Sequence, residues 1–435
     1  MTPLEAGIAG IGILLILLFF IGMPVGFSMA VVGFAGFSYI INVNAGVNMA
    51  ASVFWSVCSK YGLTVIPLFI FMGQIAFYSG VNKRLYKAAY AWIGHIRGGL
   101  AMATVAACSA FSAICGSNTA TAATMSTVAI PEMNKYGYSP VLSTGAIACG
   151  STLGVVIPPS VVLIIIGLAT EQSIAKLFYG GIGAGVVLTL FLMLTVSVVC
   201  RIFPGWGPAA GERISLKERI RSLSGGFEMI LLFVLIMAGL YFGYFTPSEA
   251  GGAGSFFALV LSLIRRTLSR DDFKNAVKDT LKVSCMVIML VAGAMIFGKF
   301  LSVTRIPFDL ASFVSGLDIS DFWIMVLISL MYIAGGAIMD ALALLLITIP
   351  IFFPLAVNMG YDPVWFAVTV TVLTTLGAVT PPVGATTYVV ASIAGDIPLK
   401  DVFKGVTVFI PAYILTIFLL LVFPGIITWL PGLLR

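Results

Sequence analysis

The side chains best suited to chemistry in this sequence are hydroxyls and an amide inside an apolar stretch. Ser117, Asn118 and Thr119 follow one another in ICGSNTATAA, residues 114–123, between two apolar runs. Their oxygens, together with unwound backbone carbonyls, are hard ligands of the kind that bind Na⁺ inside membrane proteins. Small and hydroxyl residues also pack membrane helices against one another. The pattern TATAAT (119–124) alone therefore favours packing, whereas Ser117 and Asn118 favour a cation site.

The second candidate is a single carboxylate, Asp340, in the apolar segment GGAIMDALALLLITIP. An aspartate at the centre of a membrane costs about 2.5–3.5 kcal/mol on insertion scales, so such a residue has a partner or a function. Asp340 either binds a cation directly or caps the half-helix that follows it through the amides of its first turn. The two roles are compatible.

The composition places these residues in lipid. Hydrophobic residues make up 60% of the 435 residues and charged residues only 9%, whereas soluble domains carry about 25% charged residues. The length allows about ten to twelve spans of ~20 residues. The net charge of +6 comes from short loops beside apolar runs, which favours a role in orientation and contact with lipid headgroups over binding to nucleic acid.

Charge in the loops predicts their sides of the membrane. Loops 79–99, 201–227 and 265–282 are rich in Lys and Arg, so we expect them in the cytoplasm. We expect segment 265–282 to be an interfacial helix. Loop 302–321 carries one arginine against three aspartates, which predicts the external side.

The chain contains an internal repeat. GYSPV (137–141) recurs as GYDPV (360–364), and TLGVVIPP (152–159) recurs as TLGAVTPP (375–382), both 223 residues later. A constant offset through separate motifs indicates duplication. Four whole spans separate the two proline pairs, so the second copy crosses the membrane in the opposite sense. Such inverted-topology repeats are typical of secondary transporters.

Each copy combines a re-entrant hairpin with a broken helix. We predict hairpins over 100–130 and 322–354, because both are too long for one span and have their flanks on one side. Glycines and proline pairs interrupt the segments 141–169 and 364–394, since proline removes an amide donor. The predicted domains are N-terminal scaffold helices (1–61), the first repeat (62–200), a connecting region of basic loops, interfacial helices and scaffold helices (201–282), the second repeat (283–423) and a tail (424–435).

The two tips and the two breaks predict at least two Na⁺ sites. The first would use Ser112, Ser117 and Asn118 with carbonyls near Gly150 and Gly154. The second would use carbonyls near Gly336 and Met339, with Asp340, Gly377 and Thr380. A small organic anion would lie between the tips, because half-helix N-termini favour negative charge. The residues expected around that anion are Ser117, Asn118, Thr119, Pro159, Lys299, Arg305, Asp340 and Thr380.

Lys299 and Arg305 are the cationic candidates for the head of the anion. Both lie in GKFLSVTRIP, at the end of an apolar run. Long basic side chains at such positions also extend towards the interface to keep their charge in water. The sequence leaves these two roles open.

Four motifs carry a family resemblance: GLTVIPLFIFMGQIA, GSNTATAATMSTVAIPEM, GSTLGVVIPPSVVLIIIG and LGAVTPPVGATTYVVASIAG. Together they resemble the large membrane subunit, DctM type, of tripartite ATP-independent periplasmic (TRAP) transporters, over nearly the whole chain. The resemblance implies an all-α, elevator-type fold related to the ion transporter superfamily, in the bacterial inner membrane. It also implies Na⁺ as driving ion, a small four-helix membrane subunit (DctQ type) and a periplasmic substrate-binding protein (DctP type). Family substrates are C4-dicarboxylates, sialic acid, other carboxylates and some sulfonates.

Other functions remain as alternatives at this point. Proton coupling needs an ionisable relay in the membrane, for which Asp340 is the clear candidate. A stand-alone divalent-anion symporter, driven by Na⁺ or H⁺, would work without a binding protein. A membrane enzyme would need converging His, Asp or Glu side chains, but the sole histidine, His95, lies in a basic loop. A passive channel would not need inverted hairpins.

Overall fold

The computed structural model describes residues 2–209, 215–306, 308, 309, 312 and 320–434, and every regular element within them is helical. Eight of these helical segments are long and apolar enough to cross a membrane. Parts of the loops 201–227 and 302–321 lie outside the described residues. The α-helices are Pro3–Ile16, Val25–Ile40, Val43–Ser59, Val65–Tyr78, Val81–Ile93, Gly99–Cys115, Asn118–Lys135, Pro140–Ser151, Leu153–Val156, Val161–Thr170, Ile174–Ile202, Leu216–Tyr241, Pro247–Ile264, Arg270–Thr304, Asp321–Gly336, Ala341–Asn358, Pro363–Gly377, Ala385–Ala394, Leu399–Val422 and Gly425–Gly432.

The first apolar run forms two helices, Pro3–Ile16 and Val25–Ile40. The first ends in a π-helical turn, Leu17–Ile21, and Gly22 follows it with φ of 69°. Both helices pack against the long helix Arg270–Thr304. A methyl group added at Gly33 would lie 2.7 Å from the backbone of Phe297. The two helices can therefore approach this closely only because glycine has no side chain.

Helix Arg270–Thr304, hereafter the scaffold helix, is continuous over 35 residues. The interfacial helix expected in 265–282 is therefore the first part of a longer helix, since no proline interrupts 270–304. At the repeat offset it corresponds to residues 47–81. There the structure has two helices, Val43–Ser59 and Val65–Tyr78, joined by the 3₁₀ turn Tyr61–Thr64. We call these the scaffold pair.

Each repeat contains the predicted hairpin. The first hairpin consists of Gly99–Cys115 and Asn118–Lys135, and the second of Asp321–Gly336 and Ala341–Asn358. Gly116 turns the first tip with φ of 60°, in the left-handed region that favours glycine. Every regular element of the described residues of both repeats is helical, which confirms the predicted fold class.

Each repeat also contains the predicted broken helix. The first broken helix runs from Pro140 to Thr170 and is interrupted after Val156. The second comprises Pro363–Gly377 and Ala385–Ala394. Each interruption contains its proline pair, with a cis bond between the prolines. The breaks arise because proline has no N–H to continue the ladder of backbone hydrogen bonds.

The two repeats interlock in a reciprocal way. The second arm of the first hairpin, Asn118–Lys135, packs against the last segment of the second broken helix, Ala385–Ala394. The second arm of the second hairpin, Ala341–Asn358, packs against Val161–Thr170 of the first broken helix. This exchange of partners is what a pseudo-twofold axis between inverted repeats produces.

A buried tyrosine joins the repeats directly. The Tyr413 hydroxyl lies 2.6 Å from Thr152 Oγ1 and donates to the Cys149 carbonyl at 3.1 Å. The position 223 residues before Tyr413 is Leu190, which is exposed. The pseudo-symmetry is therefore not kept at this contact.

Candidate functional site

The two hairpin tips line one cleft of about 520 Å³. Residues 117–120 of the first hairpin and 340–342 of the second contribute to it. Its scaffold wall comes from helix Val65–Tyr78 and the scaffold helix. The wall residues are Ile70, Gln74, Val283, Met286 and Val287.

Ser117 and Asp340 occupy equivalent positions at the start of the second arms. Ser117 Oγ accepts the Ala120 N–H at 3.4 Å, and Asp340 Oδ1 accepts the Leu342 N–H at 3.0 Å. Asp340 is thus a helix cap, and its exposed side chain also lines the cleft. Both arms direct their N-termini to this cleft, where the helix dipole favours a negative charge.

The first tip carries buried oxygens that lack partners. Within the described part of the chain, Ser112 Oγ and Asn118 Oδ1 are buried and make no hydrogen bond, and Thr121 Oγ1, beside the Cys115 thiol, has no oxygen or nitrogen partner. A buried polar atom without a partner costs about 1–3 kcal/mol. Neutral oxygens of this kind fit a small hard cation.

The break of the first broken helix leaves one backbone carbonyl without its helical donor. Pro158 cannot donate to the carbonyl of Gly154, four residues earlier. Gly154 packs on the tip so closely that an added methyl group would lie 2.9 Å from the Ser117 carbonyl. Gly150 faces the first arm instead, where a methyl group would lie 3.2 Å from Cys108 Cβ. Gly154 is therefore nearer to the tip than Gly150.

At the second tip, the backbone carbonyl oxygens accept hydrogen bonds from neighbouring residues. The Gly377 carbonyl, which Pro381 leaves free, accepts both the Thr380 N–H at 2.9 Å and the Thr380 hydroxyl at 3.0 Å. Gly377 packs directly on Gly336, and the Ala337 carbonyl accepts the Val383 N–H at 3.0 Å. Half-buried Met339 is part of the same tip.

The two tips differ in the oxygens they offer. The positions equivalent to Ser112 and Asn118 are Gly335 and Ala341, which have no side-chain oxygen. The second tip therefore depends on the Asp340 carboxylate and on backbone carbonyls.

The two cationic candidates lie away from the cleft. Lys299 is exposed and follows Val287 by twelve residues of the scaffold helix, which is about 18 Å along the axis. The Arg305 guanidinium lies 5.0 Å from the centre of the Phe308 ring. Pro159 is buried, and a methyl group added at Gly116 of the first tip would lie 3.0 Å from its carbonyl oxygen. None of these three residues lines the cleft.

Gln74 is the polar cleft residue that the sequence did not single out. It is the only carboxamide in the apolar run 64–78, and it lines the cleft from the scaffold side. Its isolation in an apolar run is the signal by which the sequence could have identified it. The sequence does not show which residues face Gln74 across the cleft, because that depends on how the helices pack.

The chain matches one family model over residues 12–430, that of the tripartite ATP-independent periplasmic transporter, DctM component. It is 35% identical to the C4-dicarboxylate TRAP transporter large permease protein DctM of Pseudomonas aeruginosa, covering 86% of this chain and 85% of that protein. It is 31% identical to the sialic acid TRAP transporter large permease protein SiaM of Vibrio cholerae, covering 96% of each.

A solved structure with a similar fold is the YdaH transporter of Alcanivorax borkumensis. The TM-score is 0.62 at 13% identity, and the match covers 88% of this chain and 89% of that one. At this identity the likeness concerns the fold alone.

Proposed function

Because the chain belongs to the DctM component family of tripartite ATP-independent periplasmic transporters, we propose that it imports a small organic anion by symport with Na⁺. It is the large permease of such a transporter, a multi-pass protein of the bacterial inner membrane, and its function is transport rather than catalysis. The observation that carries the proposal is the single cleft shared by both hairpin tips.

Two cation sites follow from the oxygens at the tips. The first combines the unpartnered oxygens of Ser112 and Asn118 with Ser117 and the freed Gly154 carbonyl. The second combines Asp340 with carbonyls near Gly336 and Met339, and with Gly377 and Thr380. Bound Na⁺ would compensate buried oxygens that otherwise cost about 1–3 kcal/mol each. The tips would therefore be ordered mainly when the ion is present.

The substrate site lies between the tips. The N-termini of both second arms and the bound cations supply positive potential there. Thr119 is exposed beside Ser117, and the two hydroxyls are 3.3 Å apart. A carboxylate or sulfonate would accept hydrogen bonds from such groups. Coupling follows if the substrate binds ordered tips more tightly than disordered ones.

Relatives suggest the class of cargo and the partners. Proteins 31–35% identical to this chain are named for C4-dicarboxylate and for sialic acid, both carboxylates. We propose a carboxylate, or a sulfonate of similar size, as substrate. We also propose that the permease works with a small four-helix membrane subunit and a periplasmic binding protein.

The test is uptake into proteoliposomes that contain the permease with its small subunit, with the binding protein outside. Radiolabelled succinate, N-acetylneuraminate and isethionate are offered in turn. We expect one of them to accumulate under an inward Na⁺ gradient and to lose at least tenfold in rate when K⁺ replaces Na⁺. Undiminished uptake in K⁺ would exclude sodium coupling.

Two alternatives have outcomes of their own in this assay. A proton-coupled carrier would respond to a pH gradient in the absence of Na⁺, with Asp340 as the relay. A stand-alone symporter would transport at the same rate without the binding protein.

A further inference from the structure

We propose that Lys60 binds the anionic group of the substrate when the cleft opens to the outer side of the membrane. This inference rests on the proposed function, and it concerns a scaffold residue that the cation sites do not involve.

The cleft lies at the cytoplasmic end of the scaffold. Val283 and Val287 line it and follow the basic segment 265–282, whose charge predicts a cytoplasmic position. Gln74 lines it one turn before the end of helix Val65–Tyr78, which leads into the basic loop 79–99. In this conformation the tips therefore face the inner side.

The repeat identifies the corresponding wall on the outer side. Inverted repeats exchange roles between the inward-facing and outward-facing states. At the offset of 223, Val283 corresponds to Lys60, and Met286 corresponds to Leu63. Lys60 follows helix Val43–Ser59, at the junction of the scaffold pair, and its side chain is exposed.

A second cavity lies where this outer wall is expected. Lys60 and Leu63 line a cavity of about 150 Å³ together with Val291 and Met295 of the scaffold helix. Met295 follows Val287 by eight residues, about 12 Å further towards the outer end of that helix. Two of the five counterparts of the inner-wall residues, Lys60 and Leu63, thus border a cavity on the outer side of the cleft.

The two walls differ in charge. The inner wall has Val283 where the outer wall has Lys60. Opposite charges that come close near a protein surface attract each other more strongly than in bulk water, because the effective dielectric constant is lower there. An anion between the tips would be attracted by the ammonium group in the outer position and would lose that attraction in the inner one. This difference favours capture outside and release inside.

Glu171 is the other charged residue in the outer cavity. It ends the second half of the first broken helix, with φ of 56°, and therefore moves with the tips. In this conformation its carboxylate shares a cavity with Lys60. Outward movement would carry Glu171 away and bring the bound anion to the scaffold wall.

Cross-linking tests this placement without knowledge of the substrate. Thr119 and Leu342 are equivalent tip positions, 223 residues apart, and both line the cleft. In a background without the six native cysteines, each tip is changed to cysteine and combined with Lys60→Cys or Val283→Cys, and Hg²⁺ is added to membranes. We expect Val283→Cys to link to one tip and Lys60→Cys to the other.

The outcomes are distinct. If Val283→Cys links and Lys60→Cys links to neither tip, the proposal is overturned while the proposed function stands. If no pair links, the cleft itself is misplaced and the proposal falls with it. Lys299→Cys, further along the scaffold helix, is the matched control, and we expect it to link to neither tip.

Charge variants test the role in binding. In the reconstituted uptake assay, with whichever of the three probes the unmodified protein carries, Lys60→Gln should raise the external half-saturation concentration about tenfold, and Lys60→Arg should restore it. Lys176→Gln changes an exposed lysine outside the cavity and should have no effect. If Lys60→Gln shows sodium-dependent uptake with an unchanged half-saturation concentration, the proposal for Lys60 is contradicted. If uptake by the unmodified protein does not depend on Na⁺, the proposed function is contradicted.

Discussion

At the scale of single residues, the first tip is defined by oxygens that have no hydrogen-bond partner among the residues that the structure describes. Ser112 and Asn118 differ in this respect from Ser117, whose hydroxyl caps a helix. A cation that binds here replaces missing hydrogen bonds. The affinity for the ion should therefore depend on how many of these oxygen ligands a variant retains.

The double substitution Ser117→Ala, Asn118→Ala tests that dependence. Loss of two ligands, at about 1 kcal/mol each, predicts that the Na⁺ concentration for half-maximal uptake rises by at least tenfold. The control is Thr127→Ala on the same arm, whose hydroxyl bonds only the Thr124 carbonyl. An unchanged Na⁺ titration in the double variant would mean that the first site lies elsewhere.

Asp340 combines two roles that substitution can separate. Asn keeps a good helix cap but removes the negative charge, whereas Ala removes both, and loss of the cap costs about 1 kcal/mol. We therefore expect Asp340→Asn to fold with nearly normal thermal stability and to transport at less than a tenth of the normal rate. Asp340→Ala should lose stability as well. Full activity in Asp340→Asn would reduce the residue to a cap.

At the scale of elements, the position of each tip depends on glycine contacts with a broken helix. Gly154 contacts the Ser117–Asn118 peptide, and Gly377 contacts Gly336. Interiors tolerate added methyl groups poorly, at about 1–3 kcal/mol. The tips are therefore held against the breaks by shape as well as by hydrogen bonds.

Gly154→Ala tests this contact, because its methyl group would lie 2.9 Å from the Ser117 carbonyl. We expect a lower melting temperature and at least a tenfold loss of uptake, since the tip must move away from the break. Gly12→Ala is the control, because no described atom apart from the chain neighbours and the local backbone of the same helix lies within 4 Å of the added methyl group. Equal activity in the two variants would show that the close packing is not needed.

The elements were predictable because their signals are local. Proline pairs and segment lengths identified both hairpins and both breaks, and the same offset of 223 makes Ser117 equivalent to Asp340. The residues that face one another across the cleft were harder to predict from the sequence. The assignment of Gln74 and Lys60 to cavity walls depends on which helices pack against each other, and sequence periodicity does not show this. Lys299 and Arg305 were selected by charge alone, but the helix carries them past the cleft.

At the scale of the whole molecule, the positions of the two cavities define the conformation. The cleft with both tips lies beside the basic segment 265–282, which we expect in the cytoplasm from its charge, and the cavity with Met295 lies further along the scaffold helix, towards the expected outer end. An elevator-type carrier in this arrangement is inward-facing.

Thiol labelling from each side of the membrane tests the conformation, again in a background without native cysteines. We expect Gln74→Cys to react with a membrane-impermeant maleimide several-fold faster from the cytoplasmic side, because the cleft opens there. Met295→Cys, the control in the outer cavity, should react faster from outside. The opposite pattern would reverse the orientation of the chain.

The contact between Tyr413 and Thr152 shows how far the halves of the duplicated chain have diverged. The phenol has no counterpart, because position 190 is leucine, whereas Thr375 is present at the position equivalent to Thr152. A symmetrised protein built from two copies of the second half would hold this contact twice, and one built from two copies of the first half would lack it altogether. The halves are therefore no longer interchangeable parts.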